Sequence, residues 1–221
     1  MFDRIKEDIK SIKERDPAVK NGFEVFFLYP SFKAIRSYRT AHWFYERGHY
    51  FIARWISQRS RKKTGIEIHP GAKIGKGLFI DHGGAVVIGE TSTIGDNCTI
   101  YQGATLGGTG KETGKRHPDL GHNVMVGAGA KVLGPFKVGD NSKIAANAVV
   151  LSEVPHNSTA VGVPARIVKR DGVRLEETSD LDQINIPDPL AAQIEQLSKR
   201  IKLLEDEIYI LKHNGEKSED L

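Results

Sequence analysis

Two interruptions of an otherwise periodic sequence collect the residue types that move protons and hold charged small molecules. The first is Asp81-His82-Gly83-Gly84. A histidine titrates near working pH, and one carried on an expanded turn can face a cleft, so His82 is the candidate general base. The second is the stretch GGTGKETGKRHPDLGHN, residues 107–123, which holds Arg116, His117 and His122 among glycines whose backbone N–H groups a ligand can approach closely. Two chemistries are open on these residue types: proton transfer at His82, or a zinc site if His82, His117 and His122 converge at a subunit interface. Cys98 stands alone, so it can form neither an intrachain disulfide nor a cysteine-rich zinc site, and it reads as a small residue packed between coils.

The elements that position these residues follow from a six-residue repeat that begins at Ile66. Aliphatic residues recur at Ile68, Ile74 and Ile80, at Ile88, Ile94, Ile100 and Leu106, and at Val126, Val132, Val138, Ile144 and Val150. Six of them are followed directly by glycine. Such a chain runs straight for a few residues, turns, and points one aliphatic inward per straight piece. Three hexads make a triangular coil, and stacked coils pair in parallel as a solenoid. Between Ile80 and Ile88 the spacing is eight instead of six, and between Leu106 and Val126 it is twenty. Regular coils supply the scaffold and interruptions supply the site.

Residues 1–65 read as helical, 66–169 as the solenoid, 170–189 as a polar linker, 190–213 as a helix and 214–221 as a flexible tail. Ile5, Ile9 and Ile12 mark a first helix closed by Asp16-Pro17. A second helical stretch runs from Ser31, as N-cap, to Arg61, ended by Gly65. Its aromatic residues fall on more than one face, which predicts a neighbouring element on one side and another subunit on the other. Ile194, Leu197, Ile201, Leu204, Ile208 and Leu211 alternate by three and four, a coiled-coil seam.

With 221 residues, 27% of them charged, and a mean hydropathy of −0.36, the chain is a soluble globular protein with no stretch long enough to span a bilayer. The N-terminus lacks the apolar core of a secretory signal, which places the protein in the cytoplasm. Net charge is +4, with a local excess of +7 in residues 1–67 (15 Lys or Arg against 8 Asp or Glu). Without a nucleic-acid motif beside it, that basic excess reads as a solvated helix end.

The repeat, together with RDPAV (15–19), IHPGAKIGKG (68–77), DHGGAVVIGE (81–90), TLGGTGK (105–111), RHP (116–118), GAGAKVLG (127–134) and GVPARIV (162–168), resembles the bacterial serine O-acetyltransferases over residues 3–169. The resemblance implies a left-handed parallel β-helix, trimeric, with active sites between subunits and acetyl-CoA as co-substrate with no metal. It implies His82 as base, oriented by Glu67 where the family carries an aspartate. Asp16 and Asp81 would then hold the ammonium of L-serine, and Arg116 and His117 its carboxylate. Gly108, as oxyanion donor, and Thr109 would sit near the thioester, Ala128 along the pantetheine arm, and Lys143 with Arg166 at the phosphates. Feedback inhibition by L-cysteine is implied, as is docking of the tail, here ending in Leu221, into cysteine synthase. Three other readings remain at this point: a γ-class carbonic anhydrase-like zinc enzyme, an acyltransferase for homoserine, a sugar or an aminoglycoside, and a silent trimeric assembly module.

Overall fold

The computed structural model describes residues 2–110, 113–174 and 197–205. The chain forms two units, Met1–Glu176 and Glu177–Leu221. In the first, α1 (Phe2–Arg15) ends before Pro17, as its spacing predicts. It is followed by α2 (Gly22–Leu28), which the sequence pattern does not announce and which Asn21 caps by accepting the Glu24 N–H at 2.9 Å.

The single helix expected over Ser31–Arg61 is two, α3 (Pro30–Tyr45) and α4 (Tyr50–Thr64). Pro30 rather than Ser31 opens α3, with Tyr29 at the N-cap. The break is a Schellman turn: Gly48 takes φ +79°, its N–H bonds to Tyr45 O at 3.0 Å, and the His49 N–H bonds to Phe44 O at 3.0 Å. The two helices then pack side by side, and α4 stops at Gly65, φ +71°. Phe32 and Tyr38 are buried, whereas Trp43, Tyr50, Phe51 and Trp55 stay exposed.

From Glu67 the backbone winds as a parallel solenoid. Strands β1 (Glu67–Ile68), β4 (Val87–Ile88), β7 (Thr105–Gly107), β10 (Lys131–Leu133) and β13 (Val149–Val150) form the first sheet. The second contains β2 (Lys73–Ile74), β5 (Thr93–Ile94), β8 (Asp119–Leu120) and β11 (Lys137–Val138). The third contains β3 (Phe79–Asp81), β6 (Thr99–Tyr101), β9 (Met125–Val126), β12 (Lys143–Ile144) and β14 (Ser158–Val161). From β1 to β10 each strand pairs with the one three places on, so three hexads do make one coil. Two further strands, β15 (Arg166–Arg170) and β16 (Val173–Arg174), turn back antiparallel and cover the edge that the last coil would leave open.

The hexad aliphatics fill the interior: Ile88, Ile100, Val126, Val132, Val138 and Ile144 are wholly buried. Leu120 belongs to the same set, buried in β8, so Asp119–Asn123 lie within the solenoid and the excursion covers only 108–118. A second inward position, two residues before the hexad aliphatic, takes Ala72, Ala104, Ala130 and Ala148 in some hexads and Leu78, Val86 and Val124 in others, and Cys98 occupies it as expected. Its Sγ lies 3.1 Å from Gly121 O, and burial pushes the thiol up to about 11. Phe79 departs from the inward pattern: it faces out of β3 and closes a second core with Ile12, Val25 and Phe32 of the helices. In the second unit residues 197–205 are helical, with Leu197, Ile201 and Leu204 exposed. Most of the linker 170–189, the outer turns of the seam and the tail 214–221 lie outside the described residues.

Candidate active site

The expanded turn after β3 sits where the third sheet hands over to the first. Pairing of β3 with β6, β9 and β12 stacks His82, Gln102, Ala128 and Ala146 in one column along this edge. Only His82 in that column takes positive φ, +57°. The left-handed conformation is uncommon for a residue with a side chain, and here it swings the imidazole outward, leaving it 73% exposed. Gly83 follows at φ +73°, in a site where a Cβ would stand 2.5 Å from Ile66 Cδ1, so the turn closes tightly on the first strand. Backbone bonds from Ala85 N–H to Gly65 O (3.0 Å) and from Glu67 N–H to Val86 O (2.9 Å) fix it there.

Glu67, on β1, therefore shares this edge with His82. Its Oε2 pairs with Arg61 Nε at 3.2 Å, and among the described residues no hydrogen bond or ion pair joins it to His82. His82 Nε2 lies 3.8 Å from Asp81 Oδ1. Ala128 stands two rungs along the same column, about 10 Å away at the usual strand spacing.

Asp16 reaches the same side of the molecule from the end of α1. Arg15 straps that helix to the solenoid, donating to Asn97 O (3.1 Å), Cys98 O (3.1 Å) and Thr99 Oγ1 (2.9 Å). The Asp16 carboxylate accepts the Ala18 N–H at 2.8 Å and the Tyr29 hydroxyl at 2.7 Å. Burial, the bond to Asp16 and its charge, and then the charges of Glu24 and Asp81, push the Tyr29 phenol up to about 12.

Arg116 and His117 lie elsewhere, at the opposite end of the first-sheet strands where the chain turns toward the second sheet. Arg116 forms an ion pair with Glu90, whose other oxygen accepts the Tyr45 hydroxyl at 2.9 Å. Burial alone would raise the Glu90 pKa, but the Arg116 and Tyr45 bonds bring it below the ordinary value. His117 is buried against Gly89, with Nδ1 2.8 Å from Thr91 Oγ1. Its pKa is lowered by burial and then by Arg116; His69, nearby, is lowered by burial and then by Arg54. Gly108 belongs to this corner, since a Cβ on it would stand 3.0 Å from Arg116 O. Thr109 lies in the same loop, near Gly134.

One chain thus gathers Asp16, Asp81, His82 and Glu67 on one edge and Gly108, Thr109, Arg116 and His117 on another. Lys143 points outward from β12, and Arg166 is exposed on β15. His122 lies on the third edge, its Nδ1 accepting the Asp96 N–H at 3.0 Å. The three histidines of the zinc reading therefore stand on three different edges of the prism, and among the described residues no three His, Cys, Asp or Glu gather at metal-binding distance. Tyr29, Arg15, Tyr45 and Glu90 escape a reading of the sequence. Arg15 and Glu90 have a signal there, in their places in the RDPAV and VVIGE runs.

Fold and site define a hexapeptide-repeat transferase. Residues 117–152 match the model described as bacterial transferase hexapeptide (six repeats). Serine acetyltransferase of Staphylococcus aureus is 56% identical over 91% of this chain and 94% of its own length, and that of Synechococcus elongatus 52% identical over 94% and 84%. By these matches the chain belongs to the serine acetyltransferase family. The crystal structure of the Neisseria gonorrhoeae serine acetyltransferase superposes with TM-score 0.75 at 43% identity, over 76% of this chain and 65% of that one. The Brucella abortus enzyme in complex with coenzyme A gives 0.75 at 45% identity, over 76% and 68%. The solenoid is the left-handed parallel β-helix of these enzymes.

Proposed function

We propose that this chain transfers the acetyl group of acetyl-CoA to the hydroxyl of L-serine, giving O-acetyl-L-serine and CoA, the step that opens cysteine synthesis from serine. Relatives carry the name of that activity, and related structures hold serine and coenzyme A. The observation that carries the residue assignment is the separation of two sets of side chains: Asp16, Asp81 and the exposed His82 imidazole on one edge, and Arg116, paired with Glu90, beside the buried His117 imidazole on the other. A zwitterion needs both, so the site closes when the 108–118 corner of one copy meets the His82 edge of the next, as in a homotrimer.

In that closed site Asp16 and Asp81 hold the ammonium, and Arg116 with His117 the carboxylate. His82 takes the proton from the serine hydroxyl as its oxygen attacks the thioester carbonyl. Glu67 Oε1, left over from the pair with Arg61, steadies the imidazole. The Gly108 N–H faces the oxyanion, with Thr109 beside the thioester. Collapse expels CoA as thiolate, which recovers the proton from the imidazolium. The cofactor arm follows the column from Ala128 to Ala146, where both side chains are methyl groups, toward Lys143 and Arg166.

The direct test is thiol release from acetyl-CoA with L-serine, with and without chelator, in wild type and His82→Ala. The expected loss in kcat is about 10²- to 10⁴-fold. Near wild-type turnover would remove His82 from the mechanism. Mixing His82→Ala chains with Arg116→Ala chains should restore part of the activity, and no recovery in mixed oligomers would overturn the shared site. L-Cysteine, which has the shape of serine and is named in one related structure, is the feedback inhibitor in this reading. Docking of the tail through Leu221 into cysteine synthase and a cytoplasmic location complete it. No described helix is long and apolar enough to cross a membrane.

A further inference from the structure

We infer that Tyr29 is a positioning residue for serine recognition: its hydroxyl holds the Asp16 carboxylate beside Asp81 so that both face one ammonium group. The inference rests on the reading of Asp16 as an ammonium ligand.

Asp16 sits past the last turn of α1, where nothing in the helix itself orients its side chain. Two donors do so instead. The Ala18 N–H binds Oδ1 at 2.8 Å in a local turn, and the Tyr29 hydroxyl binds Oδ2 at 2.7 Å from thirteen residues away. A carboxylate has about four lone-pair sites, so each oxygen keeps one for a substrate N–H.

The tyrosine is itself fixed. It caps α3 immediately before Pro30, and its ring packs on the second core, which contains Phe79 of β3. Strand alternation puts Phe79 and Asp81 on the same outward face, with Ile80 pointing into the solenoid between them. Tyr29 therefore spans from the carboxylate that ends α1 to the face of the strand that carries the other carboxylate. The Arg15 strap fixes the depth at which α1 lies on the solenoid, and Tyr29 fixes the direction of the next side chain. The elevated pKa of the phenol keeps it protonated, hence a donor, throughout the working range.

The test is steady-state kinetics on Tyr29→Phe, Asp16→Asn and the double variant, in the full chain. Tyr29→Phe removes one oxygen and keeps the ring in its apolar cluster, so thermal midpoint and oligomeric state should match wild type. The expected result is a KM for L-serine raised about tenfold, the scale of one hydrogen bond to a charged group. In the same variant kcat should stay within twofold and KM for acetyl-CoA unchanged. Because Tyr29 acts through Asp16, the double variant should lose no more than Asp16→Asn alone. If Asp16→Asn raises serine KM and Tyr29→Phe leaves it within twofold, or if the two losses simply add, the positioning role is overturned and the ammonium reading survives. If Tyr29→Phe lowers kcat and raises both KM values alike, Tyr29 is structural. If Asp16→Asn itself leaves serine KM unchanged, the ammonium reading fails and takes this inference with it.

Discussion

Gly89→Ala is the sharpest perturbation of the second edge. Gly89 follows β4, and the buried His117 ring lies directly over it. A Cβ there would stand 2.8 Å from His117 Cγ and closer still to Cδ2 and Nε2. Ordinary contact begins at 3.4 Å, so the nearest ring atoms must retreat by more than 1 Å. Retreat also stretches the 2.8 Å contact of Nδ1 with Thr91 Oγ1 and the 3.2 Å bond from Thr91 N–H, which set the ring plane. A displacement of that size at a substrate-positioning group costs about 10²-fold in kcat/KM for serine, or about 2.7 kcal/mol. The assay is thiol release over a serine titration, beside Gly22→Ala, whose Cβ would meet only Ile9 Cγ2 at 3.3 Å. That control should stay within twofold. Gly89→Ala combined with His117→Ala should be no worse than His117→Ala alone. A Gly89→Ala enzyme within threefold of wild type in kcat/KM would refute the placement of His117 at the substrate.

Ile100→Ala, deep in the solenoid, should lower unfolding free energy by about 2–5 kcal/mol in denaturant titration, since the stacked coils cannot collapse into the cavity. Cys98 should resist iodoacetamide at pH 8 in the native protein and react once it is unfolded, read by mass spectrometry. Its folded value of about 11 lies above the ordinary 9.0, so its contribution to stability is full below pH 9 and is lost as pH rises toward 11. His69 and His117 have the opposite sign: both lie below 6.5, so the unfolded chain takes up protons first as pH falls. The thermal midpoint should therefore drop from pH 7 to 5, and replacing both histidines with Gln should make that slope shallower.

Much of the scaffold is legible in one dimension because its physics is local. An aliphatic every sixth residue, with glycine or asparagine free to take the turns, defines a straight piece and a corner without reference to anything distant. The inward positions of Ile88, Ile100 and Val138 therefore follow from counting along the chain. The two interruptions are legible for the same reason, being departures from a count. Where local signals are weaker, pattern and fold part company. Gly48 divides the long helix because its backbone takes the left-handed turn, and Leu120 returns the chain to the solenoid sooner than the spacing from Leu106 to Val126 suggests.

Sequence alone singled out His82, Arg116 and the paired glycines as candidates, since they stand where the hexad spacing is interrupted. Only the tertiary structure decided how they are grouped. That Asp16 meets Tyr29, that Arg116 meets Glu90 and Glu90 meets Tyr45, and that the His82 imidazole and the Arg116 guanidinium occupy different edges all depend on how the helices lie on the prism and which rung stacks on which. Those contacts join residues thirteen to forty-five positions apart, and their partners are set by packing of the whole core, which no window of the sequence contains.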